Sequence, residues 1–400
     1  MACFSVALAA FAAALASTGC NVHAIERLAM ASAFRPDPAW RAHVKKPLAG
    51  DRYALLAGDM HCHVSPPDGD YDVTRSPAET VALAREEGLD FVILTPHLPG
   101  RFYLDPDLRD RASAAHAAMR AAFAEARDTI FVPGFEYTDY HYGHVSASFA
   151  DLGRVLAAVP VDVARAHPER FFEAWVADGG VLVVNHPLVT PLQSRFAAAR
   201  ADMSFRPWTS TAPVPPEITA VARLAAGYEA YNAAVSHMRD GFLLDDADLG
   251  LRGVLGRLDQ EIAAAGRRIA PVGGSDSHTG YLRATTFVLA EARTEAAVRE
   301  AILAGRVCVR SPEACSLEAR APGGSWVTVG GSVRGGPAIE VRASGGSIVI
   351  HRDGKPVALP GSGEIARVDV PADRCALLRA RVGEGWSAPI YVNCTFAEPR

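Results

Sequence analysis

From about residue 51 to 310, short apolar runs alternate with longer Ala-rich stretches whose apolar residues recur at helical spacing. The runs predict strands at Ala54–Ala57, Phe91–Thr95, Ile130–Val132, Val181–Asn185, Gly227–Tyr231, Ile269–Val272 and Thr286–Leu289. Helices are predicted between them. The clearest begins at Ser76, a good N-cap, with Pro77 in the first turn and Glu79 completing a capping box. Gly88 ends it before the strand at Phe91. A second helix is predicted over Ala112–Ala126, and a third over Glu295–Leu303, stopped by Gly305. Such alternation implies a parallel sheet or a (β/α) barrel.

After Ser311-Pro312 the texture changes. Gly, Pro and Ser become dense, and short alternating runs appear at Ala338–Ala343, Ser347–His351, Ala366–Val370, Ala376–Val382 and Pro389–Val392. Regular short strands with turns between them predict a small all-β domain of sandwich type. Asp353-Gly354, between His351-Arg352 and Lys355, is the signature of a two-residue hairpin turn.

The N-terminus differs again. Ala2–Gly19 is apolar and small, with no Lys or Arg before Arg27. Ala14-Leu15-Ala16 offers a cleavage site of secretory type. Ser17-Thr18-Gly19-Cys20 loosely matches a lipoprotein box without its usual Leu, and the uncharged start counts against export. The division expected is a signal peptide over 1–22, a linker over 23–50, a barrel over 51–312 and a β-domain over 313–400. An exported, periplasmic protein is expected, with a lipid anchor at Cys20 as one form; the alternative is cytoplasmic. In the exported case Cys375 and Cys394 are the pair expected to join. The seven cysteines contain no CxxC, which excludes a zinc ribbon. No later segment is long and apolar enough to span a bilayer.

Composition narrows the function class. Of 400 residues, 49% are apolar and 21% charged, which excludes disorder, collagen and coiled coil as the main theme. A net charge of −5 gives no basic field to recruit nucleic acid or an anionic membrane, so a small-molecule substrate is expected.

The 13 histidines carry the chemistry. His61 and His63 follow the first strand as an HxH pair, which in a strand places two imidazoles side by side. The other strand candidates also lead into ligand-type residues: Thr95-Pro96-His97, Gly134-Phe135-Glu136, Asn185-His186-Pro187 and Gly274-Ser275-Asp276-Ser277-His278. Gly143-His144 falls in the loop after Glu136, and Asp68 lies five residues past His63. In α/β barrels functional groups collect at the C-terminal ends of strands, so one shared site explains these residues better than separate core histidines.

This ordered set resembles the PHP (polymerase and histidinol phosphatase) superfamily over about residues 53–312. The resemblance implies a distorted (β/α)7 TIM-like barrel with two or three divalent ions, Zn, Mn or Fe, at its mouth. It makes His61, His63 and Asp276 ligands of one ion and Glu136 a carboxylate bridging to a second. His144 and His186 fall to the second ion, and Asp68, His97 and His278 to a third. One departure is Pro96, where the family usually has Asp, and it bears on the third position. The N-terminus, the Gly134–Thr138 segment and the β-domain look like the branch that includes aryl-carbamate hydrolases of the CehA/McbA type.

Two divalent ions sharing a carboxylate lower the pKa of water and polarise a bound oxygen, so a hydroxide between them can attack a phosphoester or an ester or carbamate without a nucleophilic Ser or Cys. Cys62 is read as a packing residue, Ser275 and Ser277 as turn residues. Arg101 and Arg283 are anion-clamp candidates, and His141 a general-acid candidate. Asn232 is a candidate for binding substrate or capping a turn. Tyr137, Tyr140 and Tyr142 suit an aryl group. The competing reading is a non-enzymatic, metal-bearing scaffold whose C-terminal β-domain binds a partner or a glycan.

Overall fold

The computed structural model describes residues 52–69, 73–188, 203–240 and 251–396. The signal-peptide, Cys20 and linker expectations therefore lie outside the described residues. No helix among those described is long and apolar enough to cross a membrane.

Ten strands build the first part: β1 Ala54–Cys62, β2 Phe91–Leu94, β3 His97–Pro99, β4 Ile130–Asp139, β5 Gly143–Ser148, β6 Val181–Val184, β7 Gly227–Asn232, β8 Ala270–Gly274, β9 Thr286–Ala290 and β10 Val307–Val309. Helices stand between them in the α/β manner expected. The Pro77–Glu87 helix has the capping box at Ser76 and Glu79, and Gly88 closes it at φ 74°. The Glu295–Leu303 helix matches its expected bounds. The second helix runs Pro106–Ala122, six residues earlier than expected at its start, because Asp105 caps it and Pro106 fits its first turn.

The strand order runs β10-β9-β1-β2-β4-β5-β6-β7-β8. Pairing is parallel for β1–β2, β2–β4, β6–β7 and β7–β8. It departs from an all-parallel (β/α)7 ladder in two places. β5 runs antiparallel to both β4 and β6. β9 runs antiparallel to β1 and β10. The ladder stops at β8, but the chain beyond β8 returns to β1. Cys62 and Ser277 form a single parallel bridge. Asp276 donates its N–H to the His61 carbonyl at 2.8 Å, and His63 donates to the Ser277 carbonyl at 3.1 Å.

Strand alternation sorts side chains into layers. On β2, Phe91 and Ile93 face a cluster with Val132, Val183, Val272 and Val288. Val92 and Leu94 face the other way, onto Ala84, Met119 and Phe123 of the helices. Both faces of β2 are buried, as a central parallel strand requires.

The C-terminal part adds β11 Glu318–Arg320, β12 Val327–Thr328, β13 Ser332–Val333, β14 Ala338–Arg342, β15 Ile348–Arg352, β16 Lys355–Ala358, β17 Ala366–Asp369, β18 Ala376–Val382, β19 Gly385–Ser387 and β20 Ile390–Val392. The β15–β16 hairpin turns at Asp353 and Gly354, both with positive φ, as the Asp-Gly pair predicts. β11, β12, β14 and β17 form a four-stranded sheet. The other strands continue the first sheet, because β19 pairs with β10. Their apolar core is shared as well: Ile339, Val341, Ile350 and Leu378 pack in one cluster with Leu55, Phe287 and Leu289. Disulfides join Cys375 to Cys394, the expected pair, and Cys308 to Cys315. Such bonds persist in oxidising compartments, which fits an exported protein.

Candidate metal centre

The ends of β1, β3, β4, β5, β6 and β8 converge on one buried cluster. β1 extends through His61-Cys62, five residues beyond its expected end. Its register against β2 shifts between Asp59 and Cys62, an irregularity of the kind that re-aims side chains beside functional sites. β4 also runs on, through Glu136 to Asp139. His144 was expected in a loop. It lies instead on β5, where the β4–β5 register pairs it with Thr138. The alternation in Gly143–Ser148 is short and contains only one large apolar residue, so the periodicity was too weak to show a strand.

Glu136 stands at the centre. Its Oε1 lies 3.2 Å from His61 Nε2, 3.2 Å from His144 Nδ1 and 3.7 Å from His186 Nε2. Its Oε2 lies 3.6 Å from His97 Nε2 and 3.8 Å from His63 Nε2. Asp276 Oδ1 is 3.4 Å from His61 Nε2 and 3.3 Å from His63 Nε2. Ligand atoms come together in three groups: His61, His63 and Glu136; Glu136, His144 and His186; and His63, His97 and His278. His63 thus belongs to two groups. His97 takes its place with proline at position 96.

Asp68 sits behind the imidazoles. It accepts from His63 Nδ1 at 3.2 Å and from His97 Nδ1 at 3.0 Å, which leaves both Nε2 atoms toward the cluster. Glu229 does the same for His61, at 3.2 Å from Nδ1. A carboxylate on the far nitrogen fixes the tautomer and the ring plane of a metal-binding histidine. Sequence reasoning missed Glu229, which also accepts from the His186 backbone N–H at 2.7 Å and from Asn232 Nδ2 at 3.0 Å. It gave no role to Asn185, whose Nδ2 donates to Glu136 Oε1 at 2.7 Å. It missed Asp59, which accepts from the backbone N–H groups of Ser275 and His61. Asn232 caps the following helix through Val235 and also donates to Asp276 at 3.0 Å.

The local backbone is committed to this arrangement. His186 and Asp276 both adopt positive φ, 27° and 53°, costly values for residues with a Cβ and of the kind held at functional sites. A Cβ on Gly274 would stand 2.3 Å from both Glu229 Oε1 and His61 Cβ, so only glycine fits beneath the cluster.

Electrostatics follow from crowding acids and imidazoles out of water. Burial opposes the charge on His61, but Asp276, Glu136 and Glu229 outweigh it and raise its pKa well above the ordinary value. Burial likewise opposes charge on His97, and Asp68 still pushes it up to about 9. Glu136 and Asp276 are held well below the carboxylate range, because neighbouring imidazoles outweigh their burial. His144 goes the other way: burial dominates and lowers it.

The donor set fits divalent cations. Nδ1 of His144 and Nε2 of His186 face Glu136, and the other nitrogen of each ring is buried with no hydrogen-bond partner among the described residues, so no protein group there holds these rings from behind. Imidazole nitrogens with carboxylate oxygens suit Zn, Mn or Fe.

The substrate candidates are placed differently. Arg101 Nε donates to Glu217 at 2.6 Å, and its backbone N–H donates to the Tyr137 hydroxyl. Tyr137 lies on the opposite face of β4 from Glu136, fully buried against Tyr103 and Phe172, so it is a core residue and not a lining one. His141 is exposed in the turn, its N–H held by Asp139 and its ring edge-on to Tyr142. Tyr140 is 62% exposed, with its ring edge-on to His144 at 5.3 Å. Arg283 is half-buried. Cys62 is buried and accepts from Arg75, with burial pushing its thiol up to about 12, in keeping with packing.

No protein-family model and no curated protein matches the chain. Solved structures do. A two-domain protein from Bacteroides vulgatus, described as containing a predicted PHP-like metal-dependent phosphoesterase, is 16% identical, with a TM-score of 0.43 over 85% of this chain and 95% of that one. The lesion-specific endonuclease EndoQ from Pyrococcus furiosus is 14% identical, with a TM-score of 0.33 over 62% of this chain and 56% of that one. PsfC from Pseudomonas syringae is 14% identical, with a TM-score of 0.33 over 63% of this chain and 89% of that one. Identities and scores are low, and function must be sought in the site itself.

Proposed function

We propose that the chain is a metal-dependent hydrolase of PHP type, its sheet a distorted barrel, acting on a phosphoester of a small molecule. One observation carries this reading: the two oxygens of buried Glu136 face different sets of imidazoles, Oε1 toward His61, His144 and His186, and Oε2 toward His63 and His97. His61, His63, Glu136 and Asp276 would hold one ion, with Glu136, His144 and His186 at a second. The His63–His97–His278 group supports a third. Ions bound there supply Lewis acidity and an ionised water at neutral pH. The protein's own part is to aim lone pairs. Glu229 keeps the proton of His61 on Nδ1, and Asp68 does so for His63 and His97. Asn185 holds Glu136, and Asn232 holds Asp276. His61, His63, Glu136, His144 and His186 are all buried, which keeps bulk water off their ligand atoms.

A carbamate or carboxylic ester is the second reading. It is favoured by the exposed Tyr140 ring beside His144 and by the capture of Arg101 by Glu217, which leaves one anion clamp fewer. The test is to load the protein with Zn or Mn and compare p-nitrophenyl phosphate, a phosphodiester and 1-naphthyl acetate or carbamate. Turnover of the phosphoesters supports the first reading, and turnover of the naphthyl esters alone replaces it with the second. No turnover by fully loaded protein removes both and leaves a metal-bearing scaffold.

A further inference from the structure

Arg75 belongs to no motif, yet it is 2% exposed, and no ion pair joins it to a carboxylate among the described residues. A guanidinium buried without an acid is costly and persists only where its donors are used. Here they are spent on backbone and small polar groups around one half of the centre. Nε donates to Thr80 Oγ1 at 3.1 Å. Nη1 donates to Ser277 Oγ at 2.8 Å and to the carbonyls of Thr279 and Tyr281 at 2.5 and 2.8 Å. Nη2 donates to the His63 carbonyl at 2.5 Å, to the Ser277 carbonyl at 3.2 Å and to Cys62 Sγ at 2.9 Å. The same side chain therefore grips the end of β1, which carries His63, and the Ser277–Tyr281 loop, which carries His278. Ser277 reinforces the grip, because its hydroxyl donates to the Tyr281 carbonyl at 2.6 Å. No described hydrogen bond joins the Glu136–His144–His186 group to this network, although Glu136 Oε2 lies 3.8 Å from His63 Nε2.

We infer that Arg75 is a positioning residue for the ion held by His63, His97 and His278, setting the distance between His63 and His278 and leaving the ion at Glu136, His144 and His186 unaffected. The inference rests on the metal-centre reading above. A lysine in its place keeps the charge and loses the planar fork that reaches seven acceptors at once.

The experiment is metal titration of the full chain with Co(II), followed by absorption and by metal analysis after dialysis, for wild type, R75K and the milder Ser277→Ala. In R75K the ion at His63, His97 and His278 is expected to bind about 10- to 100-fold more weakly, the ion at His61, His63 and Glu136 to weaken less because only His63 is shared, and the ion at Glu136, His144 and His186 to keep its wild-type affinity and spectrum. Ser277→Ala is expected to show the same selectivity with a smaller loss. Unchanged binding of every ion in both variants overturns the inference, as does equal weakening of all ions in folded Ser277→Ala protein. If R75K does not fold, Ser277→Ala decides alone. Wild type that binds no Co(II) overturns the metal-centre reading itself and is told apart by that.

Discussion

The two sides of the centre are built in different ways. Around His63 and His97, and at His61 between the sides, each ring has a carboxylate on its far nitrogen. Around His144 and His186 no such carboxylate stands behind the rings among the described residues, and one nitrogen of each is buried without a partner there. The first side is held in ligand geometry by protein groups alone. The second has no such brace among the described residues. Ring orientation is therefore fixed by carboxylates on the first side and left to packing and to a bound ion on the second.

Substitutions that break this contrast can be ranked by expected effect. Glu136 faces both sides, so Glu136→Gln should bring hydrolysis to background and lower metal content on both; metal analysis beside the phosphoester assay checks it, and full metal content would refute the shared carboxylate. His144→Ala should empty the unbraced side and spare the other, seen as loss of about one ion per chain by metal analysis. Asp68→Asn keeps every ring nitrogen in place and removes only the brace, so metal affinity on the braced side should fall about 10- to 100-fold. Equal weakening on both sides would erase the distinction. Gly274→Ala presses a methyl into Glu229 and His61, and should lower stability by about 1–3 kcal/mol, read by denaturant unfolding of the ion-free chain.

The smallest effect is one of pH. The folded pKa of His97 is raised to about 9 from 6.5. Its pairing with Asp68 is therefore fully present below the ordinary value and is lost as pH rises through about 9. A cation needs the neutral ring, so it competes with this proton. Between about pH 6.5 and 9 the ion-free chain should lose stability while the stabilisation added by Mn or Zn grows. Melting temperatures with and without metal test this, and a gap that stays constant across that window contradicts it.

Much of the centre was legible because ligands fall at strand ends in a fixed chain order: His61, His63, Glu136, His186 and Asp276 are all found where the apolar runs stop. His144 was found by its motif but misplaced, because β5 has almost no alternating apolar pattern. The braces were not legible. Glu229 is one acid in a buried strand, and Arg75 and Asp59 sit in stretches with no spacing rule. Their roles arise from contacts between residues up to 216 positions apart, as between Asp59 and Ser275. Tyr137 shows the opposite failure: its neighbours in sequence suggested a lining residue, and strand alternation turns it to the core. Five of the ten C-terminal strands, β14, β15, β17, β18 and β20, were legible to within about a residue, since turn chemistry is local, but the short β11, β12, β13 and β19 were not, and the fusion to the first sheet through β10 and β19 is not a local property.

The most direct test is a crystal of protein purified without chelator, with anomalous difference maps collected at the Zn and Mn edges. The account predicts peaks on both sides of the Glu136 carboxylate, one against His61 and His63 and one against His144 and His186. No peak in protein so purified, or peaks that leave Glu136 untouched, would contradict it.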